Sequence, residues 1–78
     1  MMTHEEFKER CLDAAANEPR LTGWDISFEV RDFGREWVVR AMKKDKQTVE
    51  LKVPSASVTV ASPEEAVHAL AVGLEQAD

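Results

Sequence analysis

The side chains best suited to nucleophilic chemistry are one cysteine, Cys11, and two histidines, His4 and His68. A catalytic thiolate needs an accessible, electropositive setting and a partner base. Cys11 instead shares an apolar stripe with Phe7 and Ala14 at helical spacing. Both histidines fall on the charged faces of their predicted helices. The sequence therefore predicts a buried, structural cysteine and no catalytic dyad.

Metal and cofactor sites need clustered ligands or a glycine-rich loop, and the sequence offers neither. There is one cysteine, no His-x-x-x-His pair, and the three glycines are far apart. Asp32-Phe33-Gly34 matches the three letters of the kinase magnesium motif, but the glycine-rich and catalytic loops that give it meaning are absent. Asp and Gly are favoured in tight hairpins. We expect no catalytic residue, no cofactor and no metal, and predict that the protein is not an enzyme.

Length and composition predict one globular domain over residues 1–78. Hydrophobic residues make up 44% and charged residues 32% of the chain, and no apolar run is long enough to span a bilayer. The net charge is −5, distributed as −3 over residues 1–19, +2 over 20–52 and −4 over 53–78. A single cysteine fits a reducing compartment, and the acidic N-terminus lacks the pattern of a secretory signal. We expect a cytoplasmic protein.

Two helices are indicated, one at each end. Thr3 and Glu6 form a capping box, with the Glu6 carboxylate expected on the amide of Thr3, and Glu6 and Arg10 are spaced for an i,i+4 ion pair. Ser62 and Pro63 predict an N-cap and first helical residue for the second helix. Its core stripe is predicted from five apolar residues: Ala66, Val67, Leu70, Leu74 and Ala77.

Between the helices the apolar residues alternate, which predicts three strands: Trp24–Arg31, Glu36–Lys43 and Thr48–Val53. Pairing Arg31 with Glu36, and Ala41 with Val49, places every inward residue opposite another inward residue. Val58–Val60 could add a fourth, edge strand. The predicted fold class is α+β, a single domain of order α-β-β-β-(β)-α, with both helices packed on the Trp24/Trp37 face of an antiparallel meander.

This element order resembles that of the double-stranded-RNA-binding domain, over most of the chain and in topology alone. That family places a lysine cluster at the start of its last helix to bind phosphates. Here the matching segment is Ser62-Pro63-Glu64-Glu65, of opposite charge. RNA binding is therefore not carried over from the resemblance.

The polar face of the sheet is the predicted partner-binding surface. Val38 and Met42 are expected to be exposed there within a charged rim, as in protein interfaces. The residues assigned to this surface are Val38, Arg40, Met42, Glu50 and Lys52. The apolar arc of the last helix, widened by Ala69, Ala71 and Val72, gives a second route to a homodimer.

The sequence thus favours a small protein–protein interaction module, of adaptor, chaperone or inhibitor type, without enzymatic activity. Small acidic αβ proteins lacking catalytic residues are typical of bacterial and phage accessory proteins, including anti-defence inhibitors. The alternative is a nucleic-acid-associated module using the basic hairpin 40–46 through Lys43, Lys44 and Lys46. A basic centre of only +2 between acidic ends disfavours that alternative.

Overall fold

The computed structural model describes residues 2–77, except for the side chain of Ala77, so the core position predicted for that side chain lies outside the described part. Two helices, α1 (His4–Ala16) and α2 (Ser62–Ala77), enclose three strands, β1 (Asp25–Arg31), β2 (Glu36–Met42) and β3 (Val49–Pro54). Single 3-10 turns occupy Pro19–Leu21, Asp32–Gly34 and Ser55–Ser57. The order α-β-β-β-α and the α+β class are as predicted.

The sheet is an antiparallel meander of order β1-β2-β3. Its register is the predicted one: Arg31 lies opposite Glu36, and Ala41 lies opposite Val49. The hydrophobic pattern selects this register because a one-residue slip would move every apolar side chain to the other face.

Val58–Val60 is not a fourth strand. The chain leaves β3 through the turn Ser55–Ser57 and continues as irregular backbone to α2. The amide of Ser55 donates to the carbonyl of Arg35, and the amide of Val58 donates to the carbonyl of Ser55. These bonds turn the chain away from the sheet edge before Val58 can pair.

The core lies between the sheet and the two helices. Phe7 and Cys11 of α1 join Trp37 and Val39 of β2, and the ring centroids of Phe7 and Trp37 are 5.0 Å apart. The α2 side contributes a set of buried apolar residues: Ala66, Val67, Leu70, Ala71 and Leu74. Both helices therefore cover the same face of the sheet and leave its other face open.

The helix starts differ from the predicted capping in detail. The Thr3 hydroxyl accepts from the Glu6 amide as expected, but it also donates to the Glu6 carboxylate, which was expected on the amide of Thr3. The Ser62 hydroxyl accepts from the amide of Thr59 rather than capping α2. Arg10 pairs with Glu64 of α2 at 2.8 Å, so the predicted Glu6–Arg10 pair is wrong. Arg10 therefore forms its ion pair with a residue of α2 and not with Glu6 on its own helix.

Candidate functional site

Cys11 is buried as predicted, and its thiol lies 3.8 Å from the carbonyl oxygen of Pro63. Burial raises the pKa of the Cys11 thiol to about 12, and the nearby Glu64 carboxylate adds to the rise. The thiol is therefore protonated at neutral pH and poorly nucleophilic. Within residues 2–77, no group of three or more His, Cys, Asp or Glu side chains could hold a metal ion.

The two histidines have unrelated surroundings. His4 lies edge-on to Trp37, with ring centroids 6.5 Å apart. The Arg20 guanidinium lies 3.3 Å from Nδ1 of His68 and is the donor of this hydrogen bond, because arginine side chains cannot accept one.

Arg20 also pairs with Glu18 and Glu75 and so connects the turn before β1 to the last helix. The sequence analysis missed this network, which joins residues more than 45 positions apart.

The outer face of the sheet, opposite the helices, carries a closed ring of four ion pairs. Glu29 and Arg31 of β1, Arg40 of β2 and Glu50 of β3 alternate in charge around it. The four N–O distances run from 2.6 Å, between Arg40 and Glu50, to 3.3 Å, between Arg31 and Glu50. We call these four residues the ion-pair ring.

The ring is possible because register brings its members together across all three strands. Arg40 lies opposite Glu50, so one strand pairing sets the shortest contact. Hydrogen bonds from Arg31 and then Arg40 lower the pKa of Glu29, and a hydrogen bond from Arg40 lowers the pKa of Glu50. Each carboxylate uses Oε2 for these bonds, and nothing among residues 2–77 donates to either Oε1.

Val38 lies on this outer face as the alternation predicts, but the expectation that it is exposed is wrong. Its exposed fraction is 0%. Its strand neighbours are Glu29 and Lys52, and such long side chains cover apolar surface with their aliphatic stems while the charged ends stay in water. Val38 is therefore buried on this face and cannot contact a partner directly.

The other residues assigned to this surface are accessible. Lys52 and Glu50 are exposed, and Arg40 and Met42 are half-buried. No helix among the described residues covers this face, since both pack on the opposite one. The structure thus leaves a charged, internally paired surface with Met42 at its margin.

The basic hairpin projects at the far end of the sheet from the β1–β2 turn. Lys43, Lys44 and Lys46 are all exposed, and Nζ of Lys43 lies 5.8 Å from the ring centroid of Trp24. Trp24 precedes β1 and is half-buried, so this aromatic is less enclosed than Trp37. The cation–π contact gives Lys43 an intramolecular role.

The last helix offers less apolar surface than predicted. Ala71 is fully buried in the core and Val72 is half-buried, which leaves Ala69 as the exposed member of the three. Packing against the sheet accounts for most of the arc that suggested a homodimer through this helix.

Phe33 is a second feature of the surface that the sequence did not predict. It lies at the β1–β2 turn with its side chain fully exposed and a φ of 54°, between Asp32 at 53° and Gly34 at 87°. A bulky residue in the left-handed region is strained. The signal available in the sequence was an aromatic residue inside an otherwise polar turn.

No protein-family model, no curated protein and no solved structure matches this chain. The part of the chain that the structure describes contains no helix long and apolar enough to cross a membrane.

Proposed function

We propose that this protein acts without catalysis, by binding another protein through the outer face of its sheet. It would serve as an adaptor, chaperone or inhibitor in the cytoplasm, in the manner of bacterial and phage accessory proteins such as anti-defence inhibitors. The observation that carries the proposal is the ion-pair ring on a sheet face that neither helix covers.

The ring supports specific recognition because it fixes the positions of four charged groups on a rigid surface. Ordered groups lose little conformational entropy on binding, which favours affinity. The free Oε1 atoms of Glu29 and Glu50 present acceptors, and the exposed Lys52 presents a donor beside them. Such a surface selects a partner by complementary charge more than by apolar area.

Met42 supplies the apolar contact of this surface. It is half-buried on the outer face, opposite Asp25 of β1. Methionine adapts to irregular surfaces because its side chain is unbranched and polarizable. With Val38 buried beneath the ring, the contact set becomes Met42, Arg40, Glu50 and Lys52.

The test is quantitative affinity capture from cells of the source organism, followed by mass spectrometry. Met42→Glu should abolish capture of the partner, because it introduces a charge at the apolar contact. Glu9→Lys, on an exposed turn of α1, is the matched control and should leave capture unchanged. Loss of capture with Glu9→Lys but not with Met42→Glu would place the partner on the helices and refute the proposal.

The second candidate is nucleic-acid binding by the basic hairpin, favoured by the exposure of Lys43, Lys44 and Lys46 and by the position of Trp24 next to Lys43. It requires weak binding that decreases steeply with salt and is lost when the three lysines become glutamates. Under protein binding, the same lysine changes alter mainly the association rate. Binding of a fluorescent oligonucleotide at two salt concentrations separates the two functions.

A further inference from the structure

Strand β1 is a sheet edge whose main protection against pairing with another chain is its charged residues, Asp25, Glu29 and Arg31. It has seven residues, no proline and no bulge, since each residue from Asp25 to Arg31 faces one residue of β2. Such an edge can pair with a strand whose charges are complementary to its own. The opposite edge, β3, ends in Pro54, which cannot donate a ladder hydrogen bond.

Apolar side chains are concentrated along the same edge. Three of the four exposed large hydrophobic residues found in the described chain lie there: Leu12, Val30 and Phe33. At the start of β1, a hollow of about 400 Å³ is lined by Leu12, Leu21, Trp24 and Ile26 among others. Helix α1 therefore leaves the β1 flank of the core partly uncovered, whereas Trp37, Val39 and Ala41 of β2 are buried.

We propose that β1 pairs antiparallel with β1 of a second copy of this chain, about a two-fold axis at Phe28, to form a dimer with a continuous six-stranded sheet. In this register Ile26 faces Val30 of the other copy on the apolar side of the sheet. On the outer side Asp25 faces Arg31, an opposite-charge pair that occurs twice by symmetry.

Charge complementarity selects this register over its neighbours. Moving the axis to Glu29 places two like carboxylates directly opposite each other. Moving it to Ser27 places Asp25 opposite Glu29, again like charges and twice by symmetry. Shifting one strand by a single residue relative to the other would place apolar side chains opposite polar ones. Only the axis at Phe28 keeps all seven residues of β1 paired, and it places opposite charges and apolar residues across from each other at the same time.

Two further observations fit the same register. Ser27 faces Glu29 of the other copy, and the Ser27 hydroxyl is buried without a hydrogen-bond partner among residues 2–77. If the side chains that cover the Ser27 hydroxyl shift on pairing, the Oε1 atom of the partner carboxylate supplies an acceptor for it. Phe33 follows the last residue of β1, and in an antiparallel pairing this end of the strand lies near the start of β1 of the other copy, where Trp24 and Leu21 line the hollow.

The dimer contact accounts for the exposed position of Phe33, which no contact within the monomer explains. Phe33 makes no buried contact of its own, and its positive φ is a strained conformation for a bulky side chain. Inserted beside the hollow of a second copy, the ring would bury apolar surface at both ends of the dimer. Aromatic anchors that fill pockets in this way dominate interface energetics.

Sedimentation equilibrium of the full chain tests the dimer through charge complementation. The variants Asp25→Arg and Arg31→Asp should each be monomeric alone, because each homodimer would place like charges opposite one another. Mixed in equal amounts they should form a one-to-one heterodimer, since every facing pair then has opposite charge. Thermal melting of each variant verifies that it is folded.

Three single changes test which residues and which sheet edge form the dimer contact. Phe33→Asn should weaken the dimer at least about tenfold, whereas Val60→Asn, at an exposed valine outside the sheet, should leave it unchanged. Lys52→Glu, on β3, should also leave it unchanged. A monomeric wild type at millimolar concentration, no heterodimer in the mixture, equal effects of the Phe33 and Val60 changes, or dissociation by Lys52→Glu would overturn the proposal.

Discussion

Three residues account for the properties of the surface: Val38, which is buried although it lies on the polar face, Phe33, which is exposed although it is aromatic, and Arg40. Val38 is fully buried on the polar side of the sheet, and Phe33 is fully exposed in a turn. Arg40 contacts both carboxylates of the ion-pair ring. Alternation correctly assigned Val38 to the outer face, but it could not predict that Val38 is buried there, because burial depends on how the neighbouring side chains are arranged.

Replacing Phe33 by glycine should leave the free energy of unfolding unchanged or raise it by up to about 1 kcal/mol. Glycine tolerates the positive φ, and no buried contact is lost. Chemical denaturation at a concentration that keeps the chain monomeric measures the change. Phe7→Ala, at a fully buried ring, should cost about 3–5 kcal/mol as a control. A loss of several kcal/mol with Phe33→Gly would show that the turn depends on the aromatic ring.

Cys11 should resist alkylation in the folded protein. Burial raises the pKa of its thiol to about 12, so almost no thiolate is present at neutral pH. Labelling with iodoacetamide, followed by mass spectrometry, should be slow in buffer and complete in denaturant. Rapid labelling of the native protein would contradict both the burial and the absence of a reactive thiol.

At the scale of elements, local signals in the sequence specified most of the fold. The alternation from Trp24 to Val53 determined three strands and their register, because side-chain period and charge pairs agree on one arrangement. What the sequence could not settle were contacts between distant elements. Arg10 binds Glu64 of the other helix, and Val58 turns away from the sheet, since both depend on how the elements pack.

Trp37→Ala should cost about 3–5 kcal/mol, because it removes a buried ring that contacts Phe7 and Phe28. Trp24→Ala is the matched control and should cost less, since Trp24 is half-buried and lies outside the strand. Equilibrium urea unfolding compares the two variants. Equal costs, or no cost for Trp37→Ala, would contradict the assignment of the core to this face.

At the scale of the whole molecule, the two faces of the sheet have different roles. The helical side buries the core, and the outer sheet face keeps its charges paired and accessible. The net charge of −5 arises from the two terminal segments, while the central segment, residues 20–52, which contains β1, β2 and most of β3, carries a small positive charge. The sequence predicted this division, but it could not show that the ion-pair ring closes, because closure needs three strands in register.

Stability should decrease as the pH falls below the ordinary range of glutamate. Hydrogen bonds from arginine lower the pKa of Glu29 and Glu50 in the folded chain, so the unfolded chain binds more protons in that window. The stabilisation is complete above the ordinary glutamate pKa and is lost as pH falls through the folded value. Melting temperatures from neutral to acid pH should decline less steeply for Glu29→Gln. The control Glu9→Gln should follow the wild type, and a steeper decline for Glu29→Gln would be inconsistent with the ring.

Site-specific photo-crosslinking in cells of the source organism tests the central claim most directly. A photoreactive amino acid in place of Met42 should yield a discrete crosslink to another protein, and the same group in place of Glu9 on α1 should yield none. Crosslinks from position 9, or none from position 42 in cells where a group at Lys44 crosslinks to nucleic acid, would contradict binding through the outer sheet face.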